Sequence, residues 1–236
     1  MTERFALYYA PSVDHRIWQK AAQWLGRDPA GEKVPAAEIA GIDAGFRARS
    51  VESARRYGFH ATVKAPMALA AGADRPALEA ALSRFGQDTD AVSIGRLTIA
   101  DLDGFLALVP DVQTPALTDL VGRIVEAFEP FRAPLSAASR DKRIRDGRLN
   151  ARQIAYLDRY GYPYVLDEFR FHMTLTDRLG DTERPAVQAA AVEWFGPLLD
   201  ETFVLDRIAL FHEREPGAPF TRLADFPLSA GAAVDG

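Results

Sequence analysis

Cysteine is missing altogether. That excludes disulfides, thiolate metal sites and a cysteine nucleophile, and it fits a reducing compartment. No apolar run approaches membrane-spanning length. Met1-Thr2-Glu3-Arg4-Phe5 lacks the apolar stretch of a secretory leader, so a soluble cytoplasmic protein is expected. Cations are outnumbered 28 to 33, and the net charge of −5 offers no overall attraction to nucleic acid or anionic membranes. Also absent are a Gly-x-Ser-x-Gly elbow, a P-loop, a dinucleotide-binding glycine pattern and a His-Glu-x-x-His metal helix. Histidine is scarce, with four in 236 residues, so where it falls is informative.

Two of the four lie in one repeated string. It reads Phe59-His60-Ala61-Thr62-Val63 and then Phe171-His172-Met173-Thr174-Leu175. Both copies alternate with period two, the pattern of a strand with unlike faces. Phe59, Ala61 and Val63 form an apolar back, with His60, Thr62 and Lys64 in front. Phe171, Met173 and Leu175 likewise oppose Arg170, His172, Thr174 and Thr176. An architectural repeat explains why the apolar positions recur, but not why both polar positions do. The two fronts are expected to face each other across one cleft. His15 and His212 have no partner signal and read as surface or structural.

A hydrophobic content of 48% with 26% charged residues suits a globular core, in one domain or two small lobes. Phe5–Ala10 reads as a strand stopped by Pro11. A helix through Ile17, Ala21, Trp24 and Leu25 follows, capped by Ser12 or Asp14 and ended by Gly26. Residues 27–55 read as a connection with a short helical piece around Ala36–Ile39. Its end is basic, with Arg47, Arg49, Arg55 and Arg56. Helices are expected at Arg75–Phe85, Pro115–Phe128, Ile154–Tyr160 and Pro185–Phe195, the last ended near Gly196-Pro197. Val92–Ala100 and Phe105–Val109 read as strands joined by an Asp-Gly hairpin turn. Further strands are expected at Phe203–Arg214 and Thr221–Leu228.

Mixed helices, strands and hairpins predict an α+β protein rather than a doubly wound parallel sheet. The expected form is a bilobal duplicated fold: two mostly antiparallel sheets covered by helices, with a central cleft. Residues 1–228 would be one such domain, each lobe giving one His-x-Thr strand, and 229–236 a flexible tail. Residues 139–152 break the acidic composition with Arg140, Lys142, Arg143, Arg145, Arg148 and Arg152. They read either as a solvated charged face or as a local attractor of anions.

Two imidazoles can divide acid and base work near neutral pH, and a threonine two residues on donates from the same face. Such a quartet matches the four oxygens of a phosphate, and Lys64 and Arg170 would add charge. Two histidines alone do not complete a zinc site, although carboxylates distant in sequence could.

At these residues the sequence resembles the 2H phosphoesterase superfamily, marked by two His-x-Thr/Ser motifs in a bilobal fold. The longer flanks, Arg55 to Pro66 and Gly161 to Thr176, resemble its DUF1045 branch, which is associated with phosphonate metabolism. The likeness runs from Phe5 to about Leu228. It implies metal-independent, cofactor-free hydrolysis of a small cyclic phosphate on a sugar or nucleotide. His60 and His172 would be the catalytic pair, and Thr62 and Thr174 the phosphate-holding hydroxyls. The expected partner is a small phosphorylated substrate. RNA stays open but is disfavoured by the net charge. The rival readings are a binding cleft without turnover and a merely duplicated core element.

Overall fold

The protein is described by a computed structural model covering residues 3–31, 34, 37–145 and 147–230. In chain order the strands are β1 (Arg4–Tyr9), β2 (Ala61–Met67), β3 (Val92–Gly95), β4 (Leu97–Leu102), β5 (Phe105–Pro110), β6 (Met173–Thr174), β7 (Phe203–Leu205), β8 (Arg207–Glu213) and β9 (Thr221–Pro227). The helices are α1 (Arg16–Leu25), α2 (Ala44–Ser50), α3 (Glu52–Tyr57), α4 (Arg75–Gln87), α5 (Pro115–Ala127), α6 (Ala137–Ile144), α7 (Ala151–Tyr160) and α8 (Arg184–Leu199). The class is α+β.

The sheets are antiparallel but unequal. Seven strands run in the order β4-β5-β6-β2-β1-β8-β9, and β3 pairs with β7 in a separate two-stranded ribbon. Both His-x-Thr segments therefore lie in the large sheet, as neighbours at its centre, rather than one in each of two sheets. The expected strand over Val92–Ala100 divides at Arg96, where the chain passes from the ribbon to the large sheet. The expected hairpin is present. Leu102 pairs with Phe105, and Asp103 (φ 54°) and Gly104 (φ 97°) take the positive φ of a tight two-residue turn.

α1, α4, α5, α7 and α8 form where the apolar stripes predict them, and α2, α3 and α6 form where no stripe predicts a helix. α5 packs beneath β2, α4 against β8 and β9, and α8 against β4. Trp18, Trp24, Phe128 and Phe195 are fully buried in the resulting core, each removing enough apolar surface to contribute about 2–3 kcal/mol. α1 starts later than expected: His15, not Ser12 or Asp14, is the cap, its Nδ1 accepting from Ile17 N at 3.2 Å. No helix forms at residues 37–39, and Ala36 lies outside the described residues. Helical turns come instead at α2 and α3, capped by Asp43 and by Asp177, whose carboxylate accepts from Ser53 N and Ala54 N. α8 runs through Gly196-Pro197 to Leu199.

Ser229 is anchored rather than loose. Its N–H bonds the carbonyls of Gly86 and Thr89, and its carbonyl accepts from Ala91 N. Residues 231–236 of the expected tail lie outside the described residues. Among the described residues no helix is long and apolar enough to cross a membrane.

The α4–β9 contact is close because Gly86 has no side chain. A Cβ there would lie 2.3 Å from the Pro227 carbonyl oxygen. Gly86→Ala should lower stability by about 1–3 kcal/mol, although alanine is intrinsically the better helix former. The urea midpoint checks this, and an unchanged or raised midpoint would contradict so tight a contact.

Candidate functional site

Ala61 pairs with Met173 in the antiparallel β2–β6 register. That register sets His60 opposite Thr174, and Thr62 opposite His172. The two histidines are then diagonal neighbours, a relation that sets residues roughly 7–8 Å apart with Cβ atoms somewhat closer. His60, Thr62 and Thr174 line a cavity of ≈ 490 Å³. Thr62 and His172 line a second of ≈ 650 Å³, and Tyr162 and Tyr164 border both. The two cavities thus form one groove over the sheet centre, with all four motif residues facing it. A merely duplicated core element does not explain that convergence.

Each imidazole is held in the same way. His60 Nδ1 meets the Gly58 carbonyl at 2.8 Å, and His172 Nδ1 meets the Arg170 carbonyl at 2.8 Å. A carbonyl only accepts, so Nδ1 carries a proton on both rings, and Nε2 is the position that accepts or gives one. The Thr62 hydroxyl donates to His60 Nε2 at 3.3 Å. Gly58 makes the first clamp possible: its φ is +82°, and a Cβ would strike Pro29 Cγ at 2.5 Å.

The surroundings of the two rings differ. His60 stacks on Tyr8 at 3.8 Å between centroids, with Tyr57 and Phe211 each at 6.1 Å. The one aromatic ring near His172 among the described residues is Phe105, at 6.1 Å. Burial pushes the His60 pKa down from 6.5 to about 4; the Gly58 bond opposes this and the charge of His172 adds to it. His60 is therefore neutral at pH 7. Burial also raises Tyr8 well above the usual phenol range and Tyr162 to about 12, so both remain donors.

Lys64 does not join the groove. Leu7 pairs with Lys64 but Tyr8 pairs with Thr62, so β2 carries an extra residue at Val63. This bulge reverses the alternation and turns Lys64 to the back of the sheet. Only 3% of Lys64 is exposed. Its Nζ donates to the Val125 carbonyl at 2.9 Å, at the end of α5, and to Glu129 Oε2 at 2.8 Å. Ala65 takes its place at the groove. Thr176 also leaves the front: it is buried, and its Oγ1 accepts from Leu106 N at 2.9 Å. Arg170 is exposed and lines the cavity beside His172.

The groove has walls that the motifs do not announce. Arg4, Tyr8, Tyr57, Arg143 and Tyr162 line the His60 side. Glu213, 0% exposed, is ion-paired to Arg4 and Arg56 and accepts from Gly217 N. Of the basic stretch, Arg140 pairs with Asp158 and Arg152 with Asp167 on the surface, while Arg143 turns into the groove. The alternation of β1 and the aromatic run Tyr162-Pro163-Tyr164 were the sequence signals for this wall. Among the described residues no three His, Asp or Glu side chains gather in a way that could hold a metal ion.

Chemically, the site is a pair of oriented imidazoles on adjacent strands, with a hydroxyl opposite each. Residues 62–221 match the family described as "Protein of unknown function (DUF1045)", and the chain belongs to that family. It is similar to the "Ribose 1,5-bisphosphate phosphokinase PhnN" of Janthinobacterium sp. (strain Marseille), 37% identical over 232 residues, which are 96% of this chain and 51% of that protein. The protein of the same name from Laribacter hongkongensis (strain HLHK9) is 36% identical over 217 residues, 92% of this chain and 50% of that one. The chain thus spans about half the length of these curated relatives. A solved structure titled "Crystal structure of phosphoesterase" superposes loosely, with a TM-score of 0.42 at 12% identity over 96% of this chain and 99% of that chain.

The depressed His60 pKa has a readable consequence. Unfolded His60 takes a proton near pH 6.5, and folded His60 only near pH 4. The neutral ring's stabilising contribution is complete above pH 6.5 and is lost as pH falls through that window. His60 ring signals in NMR should titrate with a midpoint near 4, and wild type should lose more stability than His60→Gln between pH 6.5 and 4. A midpoint near 6.5 would contradict a desolvated ring.

Proposed function

We propose that this protein hydrolyses a small cyclic phosphate carried on a ribose-like sugar, by acid–base work of His60 and His172 without a metal. The carrying observation is the doubled clamp: two Nδ1–carbonyl bonds aim two Nε2 atoms into one groove. The phosphokinase name of the relatives supports a sugar phosphate over a nucleotide or RNA end. A role in phosphonate metabolism rests on the family resemblance alone. The same reading takes residues 1–228 as one bilobal duplicated domain, with β6-β5-β4 and β2-β1-β8 as its matching halves.

The chemistry follows from the asymmetry of the rings. Neutral His60 accepts a proton at Nε2 from a water that attacks phosphorus. A bound phosphodiester anion helps, since negative charge nearby raises the imidazole's proton affinity. The phosphorus–oxygen bond to one ring oxygen breaks as the new one forms. His172, protonated, gives its Nε2 proton to the departing alkoxide, leaving a phosphate monoester and a free hydroxyl. Thr62 and Thr174 donate to the non-bridging oxygens where negative charge gathers. Arg170 adds a positive charge on the His172 side; Lys64, turned to the back, has no part.

His60→Gln and His172→Ala should each lower turnover of ribose cyclic phosphates by about 10²–10⁴-fold while thermal unfolding stays cooperative. Activity should survive EDTA. A fully active His172→Ala, or activity abolished by the chelator, would overturn the mechanism. Tight product binding with no hydrolysis by wild type would favour the rival, a phosphometabolite-binding cleft.

A further inference from the structure

The hydrolysis reading uses one end of the groove and leaves its cationic wall without a task. Arg4 and Arg143 line the cavity beyond His60, together with the phenols of Tyr57 and Tyr162. Arg4 reaches it from β1 and Arg143 from α6. Each is fixed in place: Arg4 by Glu213, and Arg143 by donating from Nη1 to the Gly161 carbonyl at 3.0 Å. Gly161 ends α7 in a left-handed cap, so the carbonyl that holds Arg143 belongs to the turn that also carries Tyr162.

The charges there do not balance. Glu213 is shared between Arg4 and Arg56. Among the described residues Arg143 has no carboxylate partner, and burial, with the positive charge of Arg4 as a lesser cause, disfavours its own charge. The other carboxylate on this wall, Asp177, is engaged by two backbone N–H groups at the start of α3. Among the described residues, Arg4, Arg56 and Arg143 against Glu213 and Asp177 therefore leave one positive charge in surplus beside a cavity with phenolic donors. Like charges held together in a partly buried wall are costly unless an anion neutralises them. The neighbouring cations, Lys142 on α6 and Arg145 just after it, are exposed and do not line the groove.

We infer that Arg143, with Arg4, Tyr57 and Tyr162, forms a second anion site that binds a phosphate monoester on the same substrate. The substrate is then a sugar bearing two phosphates: a cyclic one held by the histidines and threonines, and a terminal one held here. This rests on the hydrolase reading for the first phosphate only. Guanidinium forks suit a terminal dianion because they donate several bonds in one plane. Arg143 selects the substrate and takes no part in bond cleavage.

Two measurements keep the inference separate from the hydrolase reading. The first is calorimetric binding of ribose 5-phosphate to wild type, His172→Ala, Arg143→Gln and Lys142→Gln. Binding should persist in His172→Ala and Lys142→Gln and weaken by about 10- to 100-fold in Arg143→Gln, the worth of a charge-assisted bond. Binding that is equal in all four, or missing from wild type, overturns the site. Equal weakening by Lys142→Gln would reduce it to bulk charge. The second is kcat/KM for ribose cyclic phosphates with and without a terminal phosphate. Arg143→Gln should lose at least about tenfold more on the phosphorylated member, through KM. If no cyclic phosphate is cleaved while ribose 5-phosphate still binds through Arg143, the hydrolase reading fails and this site stands.

Discussion

The structure depends on one short strand pairing. β6 is two residues long, yet its register with β2, Ala61 against Met173, joins the two halves of the sheet. Without it, β4-β5-β6 and β2-β1-β8-β9 would be separate ladders, and the two motifs would have no common face. So short a ladder is weak by itself. It is reinforced from both sides. Leu175 and Thr176 N–H both reach the Leu106 carbonyl, and Trp24 Nε1 donates to the Leu175 carbonyl at 2.8 Å. Asp177 then caps α3, directly before the first motif. The second motif is thus tied to α1 and α3 as well as to its neighbouring strand.

Those ties explain how much of the site was legible. Period-two alternation correctly separated Phe59/Ala61/Val63 and Phe171/Met173 from His60/Thr62 and His172/Thr174, because it reflects pleat geometry near the pairing centre. It failed two residues further along each strand. A bulge at Val63 turned Lys64 backward, and a side chain-to-backbone bond drew Thr176 under β5. A bulge leaves little trace in a single sequence, since it depends on how the partner strand pairs. Lys64 then satisfies an orphan carbonyl at the end of α5, a role that looks the same in sequence as phosphate binding. Burial lowers its pKa, and Glu129 counters the shift.

Helices α1, α4, α5, α7 and α8 and the β4–β5 hairpin were legible for local reasons: apolar stripes, Pro in first turns, and Asp-Gly at positive φ. The sheet order was not, because β1 pairs with β8 across almost the whole chain. Such pairings are set by tertiary packing and carry no local signature. The same distance hid the ion pair that fixes one cation of the groove wall. Arg4 near one end of the chain meets Glu213 near the other, and nothing within either segment predicts it.

The asymmetry between the two clamped rings follows from that unseen topology. The motif supplies the same clamp twice, so equal chemistry would be the natural expectation. Only His60, however, lies beside β1, and β1 brings Tyr8 against its ring. Stacking removes water from one face of the imidazole, and desolvation disfavours its charged form. His172 borders β5 instead, where Phe105 is farther away. A duplicated motif thus becomes a pair in unlike surroundings, with Tyr8 on a neighbouring strand helping to bury only the first ring. It follows that exchanging the two motif strings would leave the depressed pKa with the histidine on the β1 side, since burial there and not the string lowers it.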